Sequence, residues 1–287
     1  MKHVKITPGK CLYWFFSVVW LLTTLFPLAF TVLSSLKDSK DIFKGFMRLP
    51  TEPTLGNYTT AIQTTGILRA IGNSLFVAVI AIALMLAVCV LAAYVLSRKR
   101  VPGHRWFSWL FMMALMLPVM SFVVPVVQMV NDLDLKGHLW VLSVIYAGIN
   151  SSMTFFILKN AIDDISVELD EAAMIDGCNL IQIVFHVILP VVKPALVTCS
   201  ILAFINVFNE LAISNVLIDS VKSRTLSLAL MSLKGDMGAM YGVIFAAIVI
   251  ALIPTVTLYM MAQEKVEKSE RYFDNHGMVA TITGRLI

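Results

Sequence analysis

EAAMIDGCNLIQIVFHVILP, residues Glu171 to Pro190, lies between two apolar runs. It is too polar to cross a membrane and too apolar to be a simple loop. Two short helices are predicted in it. Ser166 caps the first, and Glu168, Asp170 and Glu171 fall in or near its first turn, where the helix dipole favours anions. Gly177 closes that helix, because glycine takes the left-handed conformation without a Cβ clash. Asn179 caps the second helix, and Gln182 three residues later completes a capping box. Pro190 is expected to end it, and Pro194 suits the first turn of the next helix. Ala172 and Ala173 give the first helix a face of almost no bulk, which another protein could approach closely.

Outward from this stretch the chain is apolar. Of its 287 residues 59% are hydrophobic and only 14% are charged, which excludes an ordinary soluble domain. Six runs are long enough to cross a bilayer as helices, near 12–36, 70–97, 106–130, 138–158, 195–218 and 241–262. The expected fold class is therefore an all-α integral membrane protein with six transmembrane helices. Pro27, Pro118, Pro125 and Pro254 fall inside these runs, where a helix bundle tolerates kinks. The basic start, with Lys2, Lys5 and Lys10, resembles a signal peptide, but the run Leu12–Leu36 is too long for one and reads as an uncleaved first span. Cys11, Cys89, Cys178 and Cys199 show no metal spacing and read as free thiols.

Lys and Arg in short loops set orientation. Arg98, Lys99, Arg100 and Arg105 follow the second run, whereas only Lys136 follows the third. This places the Arg98 loop, the Glu171–Pro190 stretch and both termini in the cytoplasm. The first external loop runs against the rule, since it holds Lys37, Lys40, Lys44, Arg48 and Arg69.

No phosphate-binding loop occurs, so ATP hydrolysis by this chain is not expected. Asn206, Asn209 and Glu210 are spaced to share one face of the fifth helix, and Asn150 raises the same question in the fourth. Polar groups at this depth serve a translocation pathway or a helix–helix interface, and the sequence leaves both readings open. A secondary transporter would show ion sites and an internal repeat, and a membrane enzyme would show clustered His, Asp or Glu; neither pattern is present. No nucleic-acid partner is expected.

Glu171, Ala172, Ala173, Gly177, Val187, Leu189 and Pro190 together resemble the EAA loop of permease subunits of ABC importers, with Val187 where isoleucine is usual. The similarity extends to Asn73-Ser74-Leu75, Ala92-Ala93-Tyr94, Leu96-Ser97-Arg98, Leu117-Pro118 and Asn209-Glu210, and is greatest to the maltose-type second permease subunit. Phe208 stands where that family usually has tryptophan. The resemblance implies a type I ABC importer permease fold in a bacterial cell membrane. It implies a cytoplasmic amino terminus (1–11), a permease domain (12–262) with its coupling loop (160–193), and a cytoplasmic tail (263–287). It also implies ATPase coupling through Glu171, Ala172, Ala173, Asp176, Gly177, Leu189 and Pro190, with Glu171 paired to a basic residue of the ATPase. The implied partners are a second permease, two ATPase subunits that bind ATP and Mg²⁺, an external binding protein and membrane lipid. The chain itself would carry no cofactor. The implied cargo is a sugar or oligosaccharide, with polyamine or glycerol phosphate as the alternative. Lys222, Ser223, Arg224 and Thr225, in the external segment Asp219–Met240, are expected to meet the binding protein.

Overall fold

The computed structural model describes residues 8–45, 48–50, 52–98, 101–236, 240–257 and 260. All regular structure among them is helical, and the chain forms two compact units. The expected tail 263–287 lies outside the described residues, as do 1–7, Lys99 and Arg100.

One unit comprises residues 1–68 and 229–253. Its first helix, α1 (Pro8–Ser35), exposes almost every apolar side chain from Leu12 to Leu28. Its last turn is buried, and there α2 (Ser39–Ile42) and α3 (Gly56–Thr64) pack. A helix leaves its final carbonyls without intrahelical donors. Asn57 on α3 supplies two, its Nδ2 donating to the carbonyls of Ser35 and Lys37 at 2.8 Å each. The Ser35 and Tyr58 hydroxyls add a bond at 2.6 Å. The last helix, Tyr241–Thr257, closes on this corner. Phe245 meets Phe30 edge-on at 5.5 Å, and the Gly242 amide donates to Ser39 at 3.2 Å.

The other unit comprises residues 69–228 and 254–287. It is built on α4 (Ile67–Ser97), whose two halves face two cores. The first half, through Val77, Ala78 and Ala81, packs with α6 (Val123–Asp132) and the start of α7 (Leu139–Asp163). The second half, from Met85 to Leu96, packs with the rest of α7 through Phe155, Leu158 and Ile162. Between α4 and α6, α5 (His104–Met116) buries no side chain fully, although Phe111 stacks on Phe155 at 4.1 Å.

Two of the expected spans are not continuous. The third bends by 99° between His104–Met116 and Val119–Asp132. Pro118 disfavours helical geometry in the residue before it, and Leu117 is extended at φ −85°, ψ 125°. Pro125 causes no second break, because it sits in the first turn of α6, where its missing N–H costs nothing. The expected fifth span, 195–218, also breaks, after Asn209. Among the described residues three helices are long and apolar enough to cross a membrane, or up to five spans if the bent pairs His104–Met116 with Val119–Asp132 and Leu180–Val191 with Lys193–Asn209 each count as one. The expected sixth run is present as the shorter Tyr241–Thr257, with residues 258, 259, 261 and 262 outside the described set.

The corner of the first unit depends on a missing side chain. A Cβ on Gly242 would lie 2.6 Å from Asn57 Nδ2 and 2.7 Å from the Lys37 carbonyl, and the second of these is backbone that cannot swing away. Gly242→Ala is therefore expected to destabilise the protein by about 1–3 kcal/mol, the usual cost of overpacking. Gly148→Ala meets nothing within 4 Å and should be neutral or slightly stabilising, as helical Gly→Ala is. Thermal unfolding of the two variants in one detergent checks this.

Candidate functional site

The Glu171 helix, α8, spans Val167–Ile175, and the Ser166 side chain accepts from the Glu168 amide at its start. It ends as expected at Gly177, with φ +86°. The Cys178 amide donates to the Ala173 carbonyl at 2.9 Å and the Gly177 amide to Met174 at 3.0 Å, so the paired bonds of a Schellman motif close the helix. The capping box is formed too: the Gln182 amide donates to Asn179 Oδ1 at 2.9 Å and the Asn179 amide to Gln182 Oε1 at 2.8 Å.

Which face of α8 points outward is decided by Asp170. It lies in the first turn as expected, but it is fully buried. Arg98, at the end of α4, grips it with two bonds, Nε to Oδ2 at 3.1 Å and Nη2 to Oδ1 at 3.2 Å, with side-chain exposures of 4% and 0%. The Tyr94 hydroxyl, one turn earlier on α4, donates to Oδ2 at 2.8 Å. Arg98 Nη1 also reaches the Ile162 carbonyl at 3.3 Å and so ties in the end of α7. With Asp170 turned inward, Ala173 three residues later is buried as well. The expected two-alanine face therefore does not exist: Ala172 is exposed and Ala173 packs in the chain's own core. The outward face carries Glu171, Ala172 and Ile175, the last 87% exposed, and Ile181 adds apolar surface beyond the turn.

Sequence reasoning missed this clamp, although Tyr94 and Arg98 belong to the motif at the end of the second run. The available signal was a carboxylate and an arginine, each beside apolar residues, at ends of helices expected on the same side of the membrane.

The second helix starts as α9 (Leu180–Gln182), widens into a π-helix at Ile183–Ile188, and continues as α10 (Leu189–Val191). Pro190 therefore does not end it, and the break comes at Val192, where the axis turns by 79° into α11 (Lys193–Asn209). The π turn relieves Pro190, which has no N–H and whose ring would crowd the carbonyl four residues before it. Leu189 is half-buried, while Ile183, Val184 and Ile188 pack into the core that holds Ala173. Asp176 is exposed at the end of α8.

The intramembrane polar residues do not share one helix face. α11 ends at Asn209, and Glu210 is extended, followed by α12 (Ala212–Leu217). Its carboxylate accepts from the Ile213 amide at 2.7 Å and the Ser214 amide at 3.2 Å, and so satisfies donors at the start of α12. The Tyr146 hydroxyl of α7 donates to it as well. Asn206 Nδ2 donates to Asn150 Oδ1 at 3.1 Å, and Asn150 Nδ2 to the Tyr146 carbonyl at 2.9 Å. Asn209 is exposed and bonds only back to Ile205 at 2.9 Å among the contacts found for its side chain. Phe208, the departure from tryptophan, is buried and stacks on Phe204 at 4.9 Å.

The segment after α12 folds back on α4. Asn73 Nδ2 donates to the Lys222 carbonyl at 3.0 Å and the Arg224 carbonyl at 2.9 Å, and Ser74 Oγ accepts from the Leu226 amide at 2.8 Å. Lys222 is exposed, and Ser223 and Arg224 are half-buried. Thr225 is only 5% exposed, so it is not available to a partner as expected. The staple at Asn73 and Ser74 draws it in. α13 (Leu226–Asp236) takes up the apolar middle of the segment, and 237–239 lie outside the described residues.

The clamp can be tested by its asymmetry. Arg98→Met strands the Asp170 carboxylate in the core and should cost about 3–5 kcal/mol, whereas Arg98→Met with Asp170→Leu should recover most of it. Thermal unfolding of the single and double variants measures the difference. Equal destabilisation by both would show that the pair is not the source.

The comparisons with known proteins follow the same lines. Residues 89–272 match the family model described as binding-protein-dependent transport system inner membrane component. The chain is 30% identical over 256 residues to YurM, a probable ABC transporter permease protein of Bacillus subtilis, covering 89% of this chain and 85% of that one. It is 30% identical over 250 residues to DasC of Streptomyces coelicolor, a diacetylchitobiose uptake system permease protein, covering 87% and 91%. It is 28% identical over 264 residues to AmyC of Thermoanaerobacterium thermosulfurigenes, a probable starch degradation products transport system permease protein, covering 91% and 95%. A solved bacterial ABC transporter involved in alginate import contains a chain that superposes with a TM-score of 0.77 at 22% identity, covering 91% of this chain and 99% of that one. The architecture is the type I ABC importer permease fold, and the chain belongs to the binding-protein-dependent transport system inner membrane component family.

Proposed function

We propose that this chain is one of two permease subunits of an ATP-driven importer for a sugar or oligosaccharide. It would form half of the translocation pathway and be driven by a separate ATPase docked on α8. The observation that carries the reading is the outward face of that helix. Glu171 is exposed beside Ile175, and the clamp and the Schellman turn hold both in place from behind. An acid flanked by exposed apolar side chains suits a partner groove with one basic residue. In this reading both termini and the Arg98 and Glu171 regions are cytoplasmic, and an external binding protein delivers the cargo near Lys222, Ser223 and Arg224. The curated relatives named for diacetylchitobiose and starch degradation products support carbohydrate cargo.

Coupling is tested at two residues. Glu171→Ala removes a charge-assisted contact worth about 1.5–3 kcal/mol, which is roughly ten- to a hundredfold in affinity for the ATPase. Gly177→Val forces a β-branched residue to φ +86° and distorts the turn that presents the same face. Both variants should insert normally, yet hold the ATPase weakly or hydrolyse ATP without uptake. Full assembly with unchanged uptake in both would overturn the assignment of α8.

The topology and cargo have their own test. Reporter fusions at residues 100 and 135 should give opposite signals. The binding protein that stimulates ATP hydrolysis in the reconstituted complex should carry a bound sugar. Equal fusion signals would sink the proposed topology, and a non-sugar ligand would sink the cargo class.

A further inference from the structure

The first unit contains an electrostatic anomaly apart from the residues assigned to coupling and transport above. Lys37 lies two residues past the end of α1, and its side chain is almost wholly buried, 3% exposed. Its ammonium finds no hydrogen-bond partner among the described residues. A buried unpaired charge is costly, so the site is incomplete as it stands. Lys37 lines a cleft of about 90 Å³ with Asp41, Lys44, Arg48, Leu49 and Pro50. That volume suits one phosphate-sized group rather than a sugar. Asp41 is the one carboxylate in the lining, and Lys44 already pairs with it at 2.6 Å. Lys44 first, by hydrogen bond and charge, then Arg48 and Lys37 by charge, hold the Asp41 carboxyl below its ordinary pKa. The local field is therefore positive even after the ion pair is formed.

Position then selects among anions. α1 is exposed along its apolar length, and the cleft sits just past its end, the level at which phospholipid phosphates lie. Phe43 and Leu49 beside the cations are each 72% exposed, as suits side chains that enter the acyl boundary while the cations stay with the headgroups. In the topology proposed above this end of α1 is external, where a cluster of lysine and arginine runs against the usual charge bias and needs a cause. We propose that Lys37, Lys44 and Arg48 bind the headgroup phosphate of an anionic phospholipid at the outer end of α1. Only the choice of leaflet rests on that topology; inverted, the same cations would meet the same chemistry in the other leaflet.

The test uses the assembled transporter, purified in detergent and reconstituted in nanodiscs of phosphatidylcholine with or without phosphatidylglycerol. Phosphatidylglycerol should raise the unfolding temperature of the wild type and survive on it in native mass spectrometry. Lys44→Gln with Arg48→Gln, both at exposed positions, should weaken that retention roughly tenfold or more. Lys37→Met should unfold at a higher temperature than the wild type in phosphatidylcholine alone, and gain nothing from phosphatidylglycerol. Equal responses of the wild type and the double variant to phosphatidylglycerol would overturn the proposal. So would an equal rise with inorganic phosphate alone, which would make the site one for a free anion. A Lys37→Met protein that is less stable in phosphatidylcholine and still responds to phosphatidylglycerol would show Lys37 to be structural and overturn it as well.

Discussion

The ion pair between Arg98 and Asp170 constrains everything packed around α8. A carboxylate with no exposed surface is tolerable only with good partners, and Asp170 has two bonds from one guanidinium and one from Tyr94. All three residues are rigidly held, because Tyr94 and Arg98 lie one turn apart on the longest helix and Asp170 lies within a capped short one. The rotation of α8 about its own axis is thereby fixed. Turned the other way, it would bury Glu171 and expose Asp170 and Ala173. The pair thus sets which residues a partner can touch without touching the partner itself.

The same constraint explains why the turn after α8 is so heavily specified. Close packing makes the cluster of Tyr94, Ile162, Ala173, Ile183 and Ile188 a poor place for slack. Gly177 and the Asn179–Gln182 box bring the chain back onto that cluster within a few residues. The π turn at Ile183–Ile188 then lets Pro190 stay inside a helix while Ile183, Val184 and Ile188 reach the core. A push on the outer face of α8 is met on its inner face by α4, α7 and the segment leading into α11. Small displacements in packed elements are passed on rather than absorbed.

What the sequence made legible was local. The caps and the left-handed glycine depend on neighbours within a few positions, and those readings match the structure, whereas the apolar runs were legible but their breaks were not. The rest depended on pairs far apart in the chain. Asp170 is the first-turn acid it looked like, but its burial and its pairing were hidden because Arg98 is 72 residues away. Ala173 looked exposed because its burial follows from the orientation that Asp170 imposes. Thr225 looked available because nothing near it in sequence announces the Asn73 and Ser74 staple. Pro118 was visible as a kink, but a bend of 99° comes from an extended Leu117 followed by a 3₁₀ turn, which proline alone does not dictate.

Glu210 shows how such a long-range fact changes a functional reading. A carboxylate in a membrane span suggests a pathway or a contact with another subunit. Here it ends one helix and supplies acceptors for the free amides of the next, while Tyr146 satisfies it from α7. Its carboxylate bridges the break, accepting from amides of α12 and from the Tyr146 hydroxyl of α7. Asn206 and Asn209 are exposed on the helix before the break. Asn206 is already steadied by Asn150, and Asn209 bonds back to its own helix. A carboxamide bound through one group keeps its other group for a partner, which a carboxylate with three donors does less readily. The break at Glu210 therefore leaves these two carboxamides exposed in the last turn of α11.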